Sequence, residues 1–237
     1  MNKTVLITGA SSGIGEGCAR KFASEGARLI LNSRSADKLE ALAESLNKEY
    51  GAECHVLPFD VCNRQAAREA LASLPEEWKS IDILINNAGT QNEEDIDINL
   101  KGLICVTEKY GVRAGIRSVL NIGSASGHTG AEFPEYCASK GGVLAYTKNV
   151  AMRVAPYGAT CNSLDPGGVL TPLNQCVIDD PDLWQQIMDE TPLRRWATPE
   201  EIAEWAYFLT VTNGFCTGQN ILVDGGESIN YHFVWKE

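Results

Sequence analysis

A tyrosine and a lysine stand four residues apart in the segment Tyr136-Cys137-Ala138-Ser139-Lys140. On a helix this spacing places both side chains on one face, one turn apart. A free tyrosine has a pKa of about 10 and is a poor base at neutral pH, but a nearby ammonium stabilises the phenolate and lowers that pKa. Such a tyrosine can accept a proton from an alcohol or donate one to a carbonyl oxygen. Since an isolated Tyr-Lys pair is usually an ordinary helix surface, its interpretation depends on the residues around it.

Two further polar residues belong to the same candidate group. Ser124 follows the apolar run Ser118–Ile122, which predicts a strand, and parallel sheets bind ligands at the carboxyl ends of their strands. Its hydroxyl can hydrogen-bond a substrate oxygen and stabilise developing charge. Asn99 lies within a predicted helix, although asparagine has poor helix propensity. This position favours a local backbone distortion or a water site at Asn99, which completes the candidate catalytic set.

A glycine-rich turn separates the first apolar run from the first helical pattern, in Thr8-Gly9-Ala10-Ser11-Ser12-Gly13-Ile14-Gly15. Gly9 can form the tight turn, Gly13 lets the backbone approach a phosphate, and Gly15 permits close packing of the helix. The amino terminus of that helix offers unpaired N–H groups and partial positive charge. This arrangement predicts a dinucleotide pyrophosphate site, with a ligand-free turn as the alternative. The expected contact residues in the turn are Gly9, Ser11, Ser12, Gly13, Ile14 and Gly15.

The end of the second predicted strand bears on which dinucleotide is bound. A carboxylate there would bond both ribose hydroxyls and repel a 2′-phosphate. The chain instead has Asn32-Ser33-Arg34, with no acidic residue until Asp37. Arg34 can bind a phosphate through two hydrogen bonds or stack on adenine, so we expect NADP(H) to be favoured over NAD(H). The alternative is a solvated surface arginine, and the glycine turn has Ser12 where a second basic residue would strengthen the case.

Seven short apolar runs alternate with helical patterns along the chain. Strands that alternate with helices indicate a parallel sheet covered on both faces. We therefore expect an α/β protein with a doubly wound Rossmann fold, whose seven-stranded sheet is mostly parallel. No linker, repeat or change in composition suggests a second domain, so residues 1–237 are expected to form one domain. The predicted strands are Lys3–Ile7, Arg28–Leu31, Cys54–Phe59, Ile81–Ile85, Ser118–Ile122, Ala159–Leu164 and Asn220–Val223, and the clearest long helices are Ile98–Tyr110 and Tyr136–Ala155.

Composition excludes several classes of protein. The 237 residues carry 20 Lys plus Arg against 31 Asp plus Glu, a formal net charge of −11, and no basic patch suits nucleic acid or a membrane surface. The apolar runs are too short for a transmembrane helix, and the run after Met1 is too short for a signal peptide. We expect a cytoplasmic protein with its eight cysteines reduced. The three histidines are too scattered to predict a metal site.

Taken together, these motifs resemble the short-chain dehydrogenase/reductase family almost from end to end. They are TGASSGIG at Thr8–Gly15, NNAG at Asn86–Gly89, the serine of IGSASG, YCASK, and Pro166-Gly167 with Thr171. The resemblance implies Tyr136 as general acid/base, Lys140 as the residue that lowers its pKa and binds the nicotinamide ribose, Ser124 as partner of the substrate oxygen, and Asn99 as holder of a relay water. It also implies cofactor contacts by Asp60, Val61, Asn87, Ala88, Gly89, Pro166, Gly167, Val169 and Thr171, besides Arg34, Tyr136 and Lys140.

The resemblance leaves the substrate open. The segment Asn63–Gly89 is similar to NADP-dependent 3-hydroxy acid dehydrogenases, whereas the region from Thr191 to Gly226 is similar to 3-oxoacyl-carrier-protein reductases and sugar-alcohol dehydrogenases. We expect hydride transfer between NADP(H) and a small carbonyl compound or secondary alcohol. The alternatives are a catalytically silent NADP(H)-binding regulator and a reductase of carrier-bound acyl chains, docked through Arg113, Arg117 and Arg153. The family also implies a homo-oligomer, a dimer or a tetramer.

The chain departs from the family pattern beside the predicted site. Only nine residues, Thr90 to Ile98, separate Gly89 from Asn99, and the family usually has more chain there. This shortening predicts either harmless trimming of a surface loop or a differently walled pocket with a displaced Asn99. A substrate lid is expected at about residues 171–197. Trp184 and Trp196 could line the pocket or lie in the core or an interface instead. His128 and Glu132 could face the substrate or be polar residues of a surface loop without a function. The apolar tail 231–235 is expected to dock on this chain or a neighbour.

Overall fold

The computed structural model describes residues 3–92, 94–131 and 133–230. Within them lies one seven-stranded sheet in the order β3-β2-β1-β4-β5-β6-β7, and every described pair of neighbouring strands is parallel. The predicted doubly wound α/β fold is confirmed. The strands are β1 (Thr4–Thr8), β2 (Arg28–Asn32), β3 (Cys54–Val56), β4 (Ile83–Asn86), β5 (Ser118–Ile122), β6 (Thr160–Pro166) and β7 (Asn220–Val223).

The helices lie on both faces of this sheet. Three of them precede β4, namely α1 (Gly13–Ser24), α2 (Ala36–Tyr50) and α3 (Arg64–Ser73). Those that follow it are α4 (Leu103–Val106), α5 (Ser126–Thr129), α6 (Pro134–Val154), α7 (Gln175–Ile178), α8 (Pro181–Glu190) and α9 (Pro199–Tyr207). No helix in the described ranges is long and apolar enough to span a membrane.

The side chains of β1 alternate between the two faces of the sheet, and each face has its own hydrophobic core. Val5 and Ile7 face one side of the sheet, where they belong to a cluster with residues of α1, α2 and α9. Leu6 faces the other side, in a cluster that includes Tyr110 and Val150. All three β1 side chains are fully buried. Because both faces are covered, the strands are continuous apolar runs, as is typical of parallel sheets.

Two helices near the site differ from their predicted bounds. The helix expected from Ile98 consists of α4 between two π-helical turns, Ile96–Gly102 and Thr107–Gly111. π-Helical turns are rare and occur often at functional sites, and the distortion expected around Asn99 is thus present. Helix α6 begins two residues before Tyr136, because Pro134 occupies its first turn, where a proline loses no helical hydrogen bond.

A line of buried polar side chains ties the central strands to the helices that cover them. Asn86 at the end of β4 donates from Nδ2 to Thr107 Oγ1 and to Asn121 Oδ1, both at 2.8 Å. Asn121 on β5 in turn donates to Thr147 Oγ1 of α6 at 2.9 Å. These bonds fix the strand ends immediately before Asn87 and two residues before Gly123, where the candidate site begins.

Candidate active site

The candidate site is a cleft of about 350 Å³ at the carboxyl ends of the strands. It lies where the sheet order reverses, since β1 connects to β2 on one side and is paired with β4 on the other. Ligands of open α/β sheets bind at this switch point. Every predicted site residue lines the cleft except Gly15 and Asn99.

The glycine turn adopts the backbone that its sequence predicts. Gly9 and Gly13 have φ angles of +64° and +56°, in the left-handed region that favours glycine. Gly15 is buried beneath the turn, and a Cβ built there would lie 2.2 Å from the Gly9 carbonyl oxygen. Gly15 therefore supports the turn from below, and its contact with a cofactor stays a prediction.

Asn87 braces the same turn from β4. Its Nδ2 donates to the carbonyl oxygens of Thr8 and Gly9 at 3.0 and 3.1 Å. The backbone N–H groups of Asn87 and Ala88 donate in turn to Thr8 Oγ1, both at 3.0 Å. The amide donors of Asn87 are thus used to hold the glycine turn in place.

Arg34 lies at the far end of the cleft, after β2. Its side chain is exposed, and among the described residues it makes no hydrogen bond or ion pair. Nearby, Asn32 Nδ2 donates to the carbonyl oxygens of Leu57 and Phe59 at 3.0 and 3.1 Å. These bonds hold the segment before Asp60 against the end of β2. The guanidinium of Arg34 is therefore available to an anionic ligand at this end of the cleft.

The catalytic candidates meet at the other end. The hydroxyl groups of Ser124 and Tyr136 are hydrogen-bonded to each other. Lys140 is buried, its Nζ donates to the Ile122 carbonyl oxygen at 3.0 Å, and it lies 5.6 Å from the centre of the Tyr136 ring. The α6 helix places the tyrosine and the lysine one turn apart, and the end of β5 places the serine opposite them. The predicted group of three residues is therefore assembled in space.

Burial sets the acidity of this group. Desolvation lowers the pKa of the Lys140 ammonium to about 8, while the carboxylates of Asp165 and Asp95 oppose the shift. Burial also raises the pKa of Tyr136, against the lowering effect of its hydrogen bond with Ser124. In the chain alone, desolvation of the phenolate thus has a larger effect on this pKa than its partners, and the lowering expected from Lys140 stays a prediction. A phenol that stays protonated suits proton donation.

Asn99 lies behind the cleft instead of lining it. Its Oδ1 accepts from the Thr90 N–H at 2.8 Å, and its Nδ2 donates to the Thr90 carbonyl oxygen at 2.9 Å and to Ser139 Oγ at 3.2 Å. Gly89 separates it from Lys140, since a Cβ on Gly89 would lie 3.1 Å from Asn99 Oδ1 and 3.7 Å from Lys140 Nζ. The shortened segment thus folds back on Asn99, whose side chain is committed to holding it.

Two buried carboxylates near the site were missed by the sequence reasoning. Asp95 is 3% exposed and accepts from Asn92 N–H at 3.1 Å and from Asn99 Nδ2 at 3.3 Å. Asp165 is fully buried in β6 and is bonded to His128. An acidic residue directly after the predicted strand Ala159–Leu164 was the available signal for Asp165, because unpaired carboxylates are almost never buried.

The side chains considered for the substrate side are placed differently. Trp184 and Trp196 meet edge to face with ring centres 5.0 Å apart, and Trp196 packs against Gly168. Neither tryptophan lines the cleft, and neither does His128. The residues that do extend the cleft beyond Thr171 are Pro172, Leu173 and Asn174. Glu132 and the tail 231–235 lie outside the described residues.

The pKa of Lys140 predicts an alkaline limit for cofactor binding. Its ammonium is charged below pH of about 8 and neutral above, and only the charged form donates three hydrogen bonds. We therefore expect NADPH affinity to fall as pH rises through 8, with a midpoint measured by fluorescence titration. Lys140→Met should remove this dependence, and a wild-type affinity that stays constant from pH 7 to 10 would contradict the expectation.

Comparison with known proteins indicates the family to which this chain belongs. A sequence profile described as "Enoyl-(Acyl carrier protein) reductase" matches residues 9–228. The chain is 34% identical to glucose 1-dehydrogenase of Gluconobacter oxydans over 243 residues, covering 94% of this chain and 91% of that protein. It is 32% identical to a 3-oxoacyl-[acyl-carrier-protein] reductase of Staphylococcus epidermidis over 244 residues, covering 95% and 99%.

Structural similarity extends over the same length. The structure of L-sorbose reductase from Gluconobacter frateurii, complexed with NADPH and L-sorbose, superposes with a TM-score of 0.87 at 26% identity, covering 97% of this chain and 98% of that one. The profile match and the two relatives each cover nearly the whole chain. This chain is an NAD(P)-dependent oxidoreductase and belongs to the short-chain dehydrogenase/reductase family.

Proposed function

We propose that the enzyme transfers a hydride between NADP(H) and a small carbonyl compound or the corresponding secondary alcohol. The observation that carries this proposal is the meeting of Ser124, Tyr136 and Lys140 at one end of the cleft that the glycine turn opens. When bound, the nicotinamide ring supplies or accepts the hydride. The chain itself supplies orientation and the path of the proton.

Each of the three residues has a role that its surroundings support. Tyr136 donates its hydroxyl proton to the carbonyl oxygen during reduction and takes it back during oxidation. Ser124, hydrogen-bonded with Tyr136, donates to the same oxygen and stabilises its developing charge. Lys140 holds the nicotinamide ribose through its ammonium and places a positive charge beside the phenol. Asn99, buried behind Gly89, is proposed to hold a relay water through its backbone.

The residues along the cleft fit a dinucleotide. The pyrophosphate is proposed to lie on the turn formed by Gly9, Ser11, Ser12, Gly13 and Ile14, above the amino terminus of α1. No Cβ fills the space over Gly13, where a side chain would meet Thr171 at 3.2 Å. The adenine contacts are assigned to Asp60 and Val61, and the remaining contacts to Asn87, Ala88, Gly89, Pro166, Gly167, Val169 and Thr171.

Arg34 supports NADP(H) over NAD(H), because its guanidinium is exposed at the adenine end of the cleft without a protein partner in the described residues. Arg34→Leu is expected to weaken NADPH binding by at least about tenfold, since a charge-assisted phosphate contact contributes about 1.5–3 kcal/mol. NADH affinity should change by less than about twofold, because NADH lacks the 2′-phosphate. Fluorescence titration with both cofactors measures this, and a wild-type preference for NADH would refute the assignment.

A panel of small ketones, aldehydes, hydroxy acids and sugar alcohols, followed by NADPH absorbance, tests the proposed reaction directly. Turnover of at least one panel member supports it. NADPH binding without turnover across the panel would favour the silent regulator instead. The intact group of Ser124, Tyr136 and Lys140 argues against that alternative.

A reductase of carrier-bound acyl chains is the second candidate, favoured by the similarity to a 3-oxoacyl-[acyl-carrier-protein] reductase. An acidic carrier needs a basic docking face. Two of the three arginines considered for that face are engaged in ion pairs, Arg117 with Asp82 and Arg153 with Glu108. With a net charge of −11, this chain therefore favours a small free substrate. Comparing turnover of free and carrier-bound 3-oxoacyl substrates separates the two.

Assembly and substrate closure complete the proposal. We infer a homo-oligomer, a dimer or a tetramer, since Trp205, Phe208 and Phe215 are 42%, 48% and 98% exposed around the end of α9 and single chains seldom expose large apolar groups together. Light scattering measures this assembly.

Residues 171–197, with α7 and α8, are proposed as the substrate lid, because Leu173 and Asn174 already line the cleft.

A further inference from the structure

A histidine–aspartate pair lies directly behind the catalytic group. Asp165 of β6 is fully buried, and its Oδ2 bonds His128 Nε2 at 2.7 Å and accepts from Ser163 Oγ at 3.2 Å. Its other oxygen, Oδ1, has no hydrogen-bond partner among the described residues. A buried carboxylate with one unpaired oxygen is costly to the fold, which indicates a role in the neighbouring site.

The pair fastens the segment that carries Ser124 to β6. Gly123 N–H donates to the Leu164 carbonyl oxygen at 2.8 Å and Ala125 N–H to that of Pro166 at 2.9 Å. His128, at the end of this segment, reaches Asp165 between those two attachment points. Three consecutive residues of β6, Leu164 to Pro166, therefore hold residues 123–128, which we call the serine turn. Only the middle attachment, at Asp165, is made by side chains.

The turn itself is shaped around these contacts. Ser126 N–H donates to Ser124 Oγ at 3.1 Å, and the Gly127 N–H donates to the Ser124 carbonyl oxygen at 3.0 Å. A Cβ on Gly123 would lie 2.0 Å from Asp165 Oδ1, so the carboxylate fits only against a glycine at this position. Because a single turn of chain separates the two residues, a displacement of His128 would also displace Ser124.

The same carboxylate also lies near Lys140, because Lys140 Nζ donates to the Ile122 carbonyl oxygen at 3.0 Å and the next residue, Gly123, packs against Asp165 Oδ1. Asp165 and Asp95 are the two carboxylates whose negative charge favours the Lys140 ammonium against its desolvation. Gly127 also packs on the backbone of Lys140, where a Cβ would lie 2.9 Å from the Lys140 carbonyl carbon. The pair thus contacts the serine turn and influences the lysine from behind, without lining the cleft.

We propose that His128 and Asp165 are positioning residues for the proposed reaction: their hydrogen bond orients Ser124 toward Tyr136, and the Asp165 carboxylate, packed against Gly123 next to the Lys140-bound Ile122 carbonyl group, supplies a negative charge beside Lys140. The groups that face this arrangement are Lys140 and Tyr136 of α6 and Asp95 before the Ile96–Gly102 turn. The inference rests on the proposed function of Ser124, Tyr136 and Lys140. It assigns the pair no contact with substrate.

The test uses three variants of the full chain and one matched control. His128→Gln keeps an N–H donor toward Asp165 but cannot become charged, His128→Leu removes the donor, and Asp165→Asn removes the negative charge. Ser163→Ala is the control, because it deletes a different hydrogen bond to the same Asp165 oxygen, together with the bond to Asn220 Oδ1 of β7, and makes no contact with the serine turn. Thermal unfolding of all four first establishes that they fold.

Turnover measures the orientation of Ser124. With NADPH and the best carbonyl compound of the panel, His128→Leu is expected to lower kcat by at least about tenfold while the KM for NADPH changes less than about twofold, as expected for a lost transition-state contact. His128→Gln should recover kcat to within about threefold of wild type because the donor is restored. A His128→Leu protein that folds and retains wild-type kcat would overturn the orienting role.

The counter-charge is measured by NADPH binding, which needs no turnover. Asp165→Asn should move the alkaline midpoint of NADPH affinity below that of wild type, because Lys140 loses a neighbouring negative charge and deprotonates earlier. Ser163→Ala should leave the midpoint unchanged. Identical midpoints in wild type and Asp165→Asn would overturn the counter-charge, even if both proteins are equally stable.

Amide hydrogen exchange of the cofactor-free protein separates this inference from the proposed function. His128→Leu should raise the exchange rate of residues 124–129 at least about tenfold, since the side-chain attachment to β6 is lost, whereas Ser163→Ala should not. If NADPH does not bind or the panel gives no turnover, the proposed function fails while this measurement still reports on the attachment. Unchanged exchange in His128→Leu would refute the attachment.

Discussion

Replacing Tyr136 by phenylalanine is expected to lower kcat by at least about a thousandfold, near the upper range for loss of a general acid/base. The variant keeps the ring and removes only the hydroxyl group that is hydrogen-bonded with Ser124. NADPH affinity should stay within about twofold of wild type, because no binding charge is removed. The substitution is thus expected to affect proton transfer and not cofactor binding. Steady-state kinetics with a panel substrate measures the change in kcat.

Tyr146→Phe is the matched control for this experiment. Tyr146 lies on the same helix, is half-buried, and donates its hydroxyl to Glu108 Oε1 at 2.8 Å, outside the cleft. The variant therefore loses a tyrosine hydroxyl group and its hydrogen bond at a position outside the site, and its kcat should be that of wild type. Retained activity in Tyr136→Phe would exclude this tyrosine as the general acid/base.

The second large effect is expected at Gly15, which lies beneath the glycine turn and does not line the cleft. A Cβ on this residue would lie 2.2 Å from the Gly9 carbonyl oxygen and 2.5 Å from Asn87 Nδ2. The turn must shift to admit it, and overpacking of this kind costs about 1–3 kcal/mol. Gly15→Ala should therefore lower the melting temperature by about 2–12 °C. NADPH affinity should fall at least about tenfold, because the displaced turn no longer presents its N–H groups to the pyrophosphate.

Gly214→Ala separates crowding from the general effect of replacing a glycine. Nothing lies within 4 Å of a Cβ at Gly214, and its φ angle is not positive. This variant should bind NADPH like wild type and be equally or slightly more stable, because alanine reduces the entropy of the unfolded chain. Wild-type NADPH affinity in Gly15→Ala would mean that the turn tolerates the displacement and that the packing argument fails.

The parts of the site that sequence could predict are those determined by local spacing. The Gly9–Gly15 turn and the i, i+4 relation of Tyr136 to Lys140 follow from the period of a strand, a turn and a helix. The order of the sheet follows because alternating strands and helices leave few topologies open. The sequence also indicated Ser124, because this residue lies two positions after the apolar run Ser118–Ile122.

The parts that sequence could not predict depend on contacts between distant residues. His128 and Asp165 are 37 positions apart, and nothing in either segment indicates that they meet. The direction of the Tyr136 pKa shift depends on how completely α6 is covered, which the spacing of Tyr136 and Lys140 does not reveal. Likewise, the burial of Asp95 arises from the way the shortened segment folds back on Asn99.

Segment 171–197 carries its own attachment point for a reporter group. Of the eight cysteines, only Cys62 and Cys176 are exposed, and Cys176 lies on α7 within this segment. Burial and neighbouring carboxylates raise the pKa of the Cys62 thiol to about 11, which slows its alkylation because the thiolate is the nucleophile. A maleimide dye therefore couples preferentially at Cys176. Fluorescence from that dye in the unsubstituted protein therefore tests the proposed closure of the segment over the cleft, on the timescale of mixing with ligand.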